Sequence, residues 1–180
     1  LSRIYKRANL FFANKEEYQR ILETDERAEK KLLDMMHALG VSTPILTDGR
    51  ITLRALGVAD VSPTYVSWLN DPEVTAFTEI EAGTSDIKSA KKYVEDSNVA
   101  LDALLWGIFI GAEERHVGNF RFGAINKRHR RASAAILIGD KTVWGHGIAP
   151  AAIQLATRYG FENLNLEKIY ANVIAKNLPS

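Results

Sequence analysis

The sequence predicts an α/β fold, and three observations carry that expectation. Residues 132–173 read as strand, glycine-bracketed loop, helix and second strand. Two apolar runs, 104–110 and 117–125, are joined through Glu113, Glu114 and Arg115 and predict an antiparallel pair. Residues 51–56 alternate, with Ile51, Leu53 and Ala55 set against Thr52 and Arg54, as a half-buried strand does.

Composition bounds the function. The 180 residues are 46% hydrophobic and 25% charged, enough for one well-buried core. A net charge of +1 gives no reason to expect nucleic acid or an anionic membrane as partner. No apolar run approaches the roughly 20 residues that span a bilayer. Nothing reads as a signal peptide, so the expected compartment is cytoplasmic. The chain has no cysteine, which removes disulfides, thiolate metal sites and a thiol nucleophile together. It begins at Leu1 and closes on Leu178-Pro179-Ser180, and both ends are expected to be cut.

Taken in order, residues 9–13 predict a short strand, 15–22 a helix, and 25–39 a second helix with Ala28, Leu32, Met35, Met36 and Leu39 on one face. His37 is a residue of that helix. Residues 43–47 predict a strand, and Asp48-Gly49 is a turn signal and the expected domain boundary. After the strand at 51–56, residues 60–69 predict a helix that Asn70-Asp71-Pro72-Glu73 stops. Residues 84–98 predict another, capped within 85–88, with Ile87, Ala90, Tyr93 and Val94 inward. Gly118, inside the second antiparallel strand, marks a bulge or a close approach. Lys127-Arg128-His129-Arg130-Arg131 is a dense charge run, read better as a solvated hairpin loop than as a binding patch. His116 and His146 stand alone, without a second ligand at metal spacing, so no metal is expected.

The C-terminal third carries the chemistry. A strand at 134–139 leads through a short turn into Trp144-Gly145-His146-Gly147-Ile148-Ala149. Gly145 and Gly147 can take positive φ or admit close backbone approach, and Pro150 suits the first turn of a helix. Such a loop leaves backbone N–H groups unpaired at the positive end of a helix, which makes a phosphate cradle. The helix is expected over 151–164, with Ile153, Ala156, Gly160 and Leu164 on its inner stripe and Gln154, Arg158 and Glu162 away from it. The last strand is expected over 168–174.

A dinucleotide fold would use Gly145-x-Gly147 as half of its fingerprint. The third glycine slot holds Pro150, however, and the acidic residue about 20 positions on is Glu167, which precedes the second strand instead of following it.

The sequence instead resembles the GNAT acetyltransferase superfamily over about residues 50–180. Its acetyl-CoA motif, Arg/Gln-x-x-Gly-x-Gly/Ala, is matched from its second half on by Trp144 to Ala149. The preceding Ile138-Gly139-Asp140 and the following Tyr159-Gly160-Phe161-Glu162-Asn163 are similar to the Rim-type branch, which acetylates N-terminal alanines of ribosomal proteins and includes amino-sugar N-acetyltransferases. Trp68 to Val74 resembles the segment leading to the loop that walls the acceptor site in that branch. As plain packing, Trp68 reads as a core residue. Val117-Gly118-Asn119 matches the family's central strand.

The resemblance implies a GNAT-like mixed, mostly antiparallel sheet with flanking helices, the family's C-terminal strands missing from the chain. It implies acetyl-CoA as co-substrate, no metal, and a small-molecule or protein N-terminal amine as acceptor. Ile138, Gly139, Trp144, Gly145, His146, Gly147, Ile148, Ala149 and Asn177 are its expected cofactor-binding residues, Asn177 beginning a reduced Asn-x-x-Ser element. Pantetheine is expected along the strand ending at Ile138-Gly139, where it splays from the last strand. With that strand left at the sheet's edge, self-association is expected. Residues 1–49 resemble part of a ribokinase-like (PfkB) sugar kinase through Asn14-Lys15-Glu16-Glu17 and Leu39-Gly40-Val41.

Two departures bear on turnover. Ser133 stands where Rim-type relatives carry an acidic residue suited to be a base, and Ala151 where they carry a second carboxylate. No catalytic residue is assigned. Direct attack by a primary amine competes with a non-catalytic module that binds CoA or a partner without turnover, and the missing carboxylates favour the latter.

Overall fold

The computed structural model of the chain describes residues 43–100, 102–174 and 177. By their contacts residues 43–180 form a unit of their own. The elements expected at 9–13, 15–22 and 25–39, His37, and the Asn14 motif lie outside the described residues.

Six strands form one sheet in chain order: β1 (Leu46–Thr47), β2 (Ile51–Ala55), β3 (Leu104–Ile110), β4 (Arg115–Asn126), β5 (Arg131–Ile138) and β6 (Lys168–Tyr170). The first five pair antiparallel, and β6 runs parallel to β5. A parallel neighbour needs a long crossover, which helix Ile148–Glu162 supplies. Three helices lie between β2 and β3: α1 (Pro63–Asn70), α2 (Pro72–Thr75) and α3 (Ile87–Val99). The crossover helix is α4. The sheet is therefore mixed and mostly antiparallel, as expected.

Each face of the sheet has its own core. Trp106, Phe120 and Phe122 pack with Ala152, Ala156 and Tyr159 of α4. On the opposite face Leu105 and Phe109 pack with Tyr65, Trp68 and Leu69 of α1 and with Ala90 and Val94 of α3. Burial on both faces explains why β3 reads as an unbroken apolar run rather than an alternating one.

Local chemistry sets the boundaries. The helix expected at 60–69 starts at Pro63, because the Ser62 hydroxyl accepts from the Tyr65 N–H and Pro63 has no N–H to satisfy. Residues Val58–Asp60 form a separate 3-10 turn. Asp71 ends α1 and caps α2, its carboxylate accepting from the Glu73 N–H. In α3 the inward stripe is Ala90, Val94 and Ser97. Ile87 and Tyr93 flank it and are 44% and 45% exposed, contrary to expectation. Ile153 is likewise 41% exposed, because the inner face of α4 follows Ile148, Ala152, Ala156 and Tyr159.

Both expectations for Gly118 hold. The β3–β4 register shifts so that Ile108 faces Gly118 and Phe109 faces His116, leaving Val117 as the extra residue of a bulge. A Cβ on Gly118 would also lie 2.3 Å from the Leu137 carbonyl oxygen. The Val117 carbonyl then accepts from the N–H groups of Gly139 and Asp140 at 3.0 and 3.1 Å, which fixes the exit of β5.

Candidate active site

The site grows from β5. Arg131, Ala132 and Ser133 pair with Lys168, Ile169 and Tyr170 of β6, and the pairing stops there. Residues 134–138 keep β4 on one side, while on the other no strand among the described residues joins them. Residues 171–174, expected to continue the last strand, leave the ladder. The parted edge offers backbone donors and acceptors to an extended ligand, which can bind as an added strand would.

At the end of that edge the chain turns through Lys141–Val143, capped by the Asp140 carboxylate, which accepts from the Thr142 N–H. Trp144 folds back and donates its indole N–H to the Ile138 carbonyl at 2.9 Å. Gly145 and Gly147 follow with φ of 75° and 74°. A Cβ at Gly145 would meet nothing within 4 Å, so left-handed backbone, and not lack of room, calls for glycine there. Gly147 caps α4 without a side-chain hydrogen bond. The N–H groups of Ile148 and Ala149 lie in the first turn, where no helical carbonyl can reach them, and Pro150 has none to lose. The Ala151 N–H closes the turn on the Gly147 carbonyl. These features fit a pyrophosphate: open space, free N–H groups and the positive helix end.

Of the expected residues, Ile138 ends β5 and Gly139 follows it, Trp144 to Gly147 form the loop, and Ile148 and Ala149 open α4, with Ile148 buried in the core. His146 is exposed, its N–H donating to the Val143 carbonyl. Asn177 donates to the Ile174 carbonyl, and no hydrogen bond links it to the loop. Arg50, which no motif marks, joins them. Its Nη2 lies 3.4 Å from the Gly147 carbonyl oxygen, adding a cation to the cradle across 97 residues of sequence.

The α1–α3 face borders the same strand. Trp68 lies against Gly139, where a Cβ would come within 2.1 Å of the indole. Trp68 is therefore core, as the plain reading expected, and it also joins α1 to the end of β5. Lys141 pairs with Asp71 and Glu73 at 2.7 and 2.9 Å, tying α2 to the turn before the glycine loop. Its ammonium holds the Asp71 carboxyl below the usual carboxylate range.

His116 is not isolated. Its ring stacks on Phe109 at 4.9 Å and lies edge-on to Trp68 at 5.2 Å. Its Nε2 is 2.9 Å from both the Gly118 carbonyl and Asn119 Oδ1. With two oxygens facing it, Nε2 carries the proton. Burial holds its pKa below the ordinary histidine value, against those hydrogen bonds. Asn119 donates in turn to the Tyr65 hydroxyl at 3.1 Å, and burial pushes that phenol up to about 12. This network braces the bulge. At the parting point Ser133 donates its hydroxyl to the Gly123 carbonyl at 2.8 Å.

A mixed sheet parted at its parallel pair, with two left-handed glycines and a helix start where the parted strand ends, suits a transferase that takes an extended co-substrate with an anionic end. The chain belongs to the acetyltransferase (GNAT) domain family, whose model matches residues 50–180, and it is an N-acetyltransferase. It is 31% identical to the uncharacterized N-acetyltransferase p20 of Bacillus licheniformis, over 73% of this chain and 74% of that one. With the uncharacterized N-acetyltransferase YoaA of Bacillus subtilis (strain 168) it shares 30% identity, over 74% and 76%. Among solved structures it is similar to a GNAT-family acetyltransferase of Bacillus anthracis, with TM-score 0.66, 18% identity, and 76% and 78% of the two chains covered. It is also similar to spermidine N-acetyltransferase of Vibrio cholerae in complex with CoA and spermine, with TM-score 0.64, 25% identity, and 72% and 75% covered.

Proposed function

We propose that the chain takes acetyl-CoA with its pyrophosphate on the loop from Trp144 to Ala149 and its pantetheine along residues 134–138, and passes the acetyl group to a primary amine. One observation carries this reading: among the described residues β5 loses its parallel partner after Ser133 and runs as a bare edge to a helix start with two left-handed glycines. The neutral amine forms the N–C bond at the thioester carbonyl, the C–S bond breaks, and the proton shed by the amine ends on the departing thiol. A backbone N–H on the bare edge is suited to polarise that carbonyl. A Rim-type acceptor, a protein N-terminus or an amino sugar, agrees with the motif resemblance. An α-amino group titrates near 8 against about 10.4 for lysine and needs only mild help to lose its proton. Calorimetry of CoA binding tests the assignment, and affinity unaltered by Gly147→Asp sinks it.

The second reading, a CoA-binding module without turnover, is favoured by Ser133. Its hydroxyl is engaged with Gly123, and β5 has no carboxylate along its length. Thiol release on peptides with free N-terminal Ala or Ser separates the two readings. Residues 1–49 are proposed as a separate segment of sugar-kinase-like origin.

A further inference from the structure

Arg121 lies on β4 between Phe120 and Phe122, which face α4, so its side chain rises on the opposite face with Asn119. Its partner across the ladder on β5, Ala135, is exposed, so this part of the face is open. The guanidinium is laid back over Gly123: a Cβ there would come within 2.7 Å of Nη1 and 3.2 Å of Ser133 Oγ. Ser133 is the residue at which β5 and β6 part. A permanent cation thus sits at the parting point, on the α1–α3 side. Its Nε is buried without a hydrogen-bond partner, and the guanidinium makes no ion pair among the described residues.

A buried N–H left unpaired is costly, and a fold that keeps one has a partner to offer it or a use for it. The guanidinium fork matches two oxygens of a carboxylate or phosphate. We propose that Arg121 recognises an anionic group, carboxylate or phosphate, carried by the amine that accepts the acetyl group. This inference rests on the acetyl-CoA reading above, in which the thioester lies at the parting point and the acceptor enters over Ala135. The same cation would repel an alkylammonium chain, which sets this acceptor apart from the spermine bound by the Vibrio cholerae neighbour. Gly123 is then the residue that makes the guanidinium's bed.

The test is calorimetry on the full chain saturated with CoA, which permits acceptor binding without turnover. Two matched pairs are titrated, alanine against alaninamide and glucosamine 6-phosphate against glucosamine, with spermidine as a fifth ligand. The expected result is tighter binding of the anionic member of at least one pair, and the pair that discriminates identifies the source of the anion. Arg121→Gln should weaken that ligand ~10- to 100-fold, the range of a charge-assisted hydrogen bond. Arg121→Lys should recover part of it, and Gly123→Ala should weaken it by displacing the guanidinium. CoA affinity should be the same in every variant, and Arg121→Gln should melt no lower than the wild type, which a purely structural arginine would not allow. Equal binding within both pairs, preferential binding of spermidine, or an unaltered preference in Arg121→Gln overturns the inference while leaving the acetyl-CoA reading intact. Failure of the wild type to bind CoA overturns both.

Discussion

Replacing Gly147 by aspartate separates what the loop does for the fold from what it does for a ligand. Space is not the obstacle, since the new Cβ would find its nearest neighbour, Arg50 Nη1, at 3.7 Å. The backbone is, because φ of 74° costs a residue with a Cβ about 1–2 kcal/mol. An aspartate at a helix N-cap returns roughly 0.5–1 kcal/mol through the free N–H groups and the helix dipole. The net effect on stability is therefore small. Binding differs: two phosphate charges about 5 Å from the new carboxylate, at an effective dielectric of about 40, oppose it by roughly 3 kcal/mol in sum. Arg50 would also be drawn to the new carboxylate and away from the ligand. CoA affinity should fall about 100-fold, whereas Gly147→Ala, which carries only the strain, should lose under about 10-fold. Calorimetry with CoA and thermal melts on the three proteins measure this. Equal affinity in wild type and Gly147→Asp refutes the assignment of the loop, and equal losses in the alanine and aspartate variants refute the electrostatic reasoning.

With no carboxylate on β5, the rate of acetyl transfer should keep rising with pH through the titration of the acceptor amine itself, and a plateau near pH 7 at full rate would reveal a base elsewhere. Burial lowers the His116 pKa in the folded chain, so the unfolded chain binds more protons below about pH 6.5. Stability should be complete above that pH and should fall as the pH drops from 6.5 towards 5, above the window where carboxylates titrate. Melting temperatures across that range, with a flatter profile in His116→Gln, check the assignment. The outer edge of β6 has no strand paired to it among the described residues, and light scattering should rise with protein concentration if that edge pairs between chains. A monomer at every concentration would mean that the edge is covered.

Much of this was legible where burial wrote a simple pattern. The boundaries of β3 coincide with its apolar run because both of its faces are buried, and the positive φ of Gly145 and Gly147 follows from their residue type. Strand β5 begins three residues before the expected 134, because Arg131 and Ser133 are held by partners on both sides and Ala132 by Ile169 of β6, which a short polar stretch does not reveal. Helical spacing places Ile87, Tyr93 and Ile153 inward, but it offers several stripes, and only the sheet beneath decides which is buried. Arg50 and Arg121 carry no local signal. One reaches the loop across the fold, and the other reads as an ordinary outward residue of an alternating strand, because nothing local marks the point at which β5 and β6 part.

The contact of Trp68 with Gly139 has a consequence for recombination. The indole fills the volume that any side chain at 139 would need, so α1 and the residues leading from β5 to the glycine loop are cut to one another's shape. Grafting residues 63–86 from a homologue with another acceptor preference would succeed only if the donor also brings a flat ring at 68 and the recipient keeps glycine at 139. The two segments can therefore be exchanged only as a matched pair, and either one carried alone would arrive without its seat.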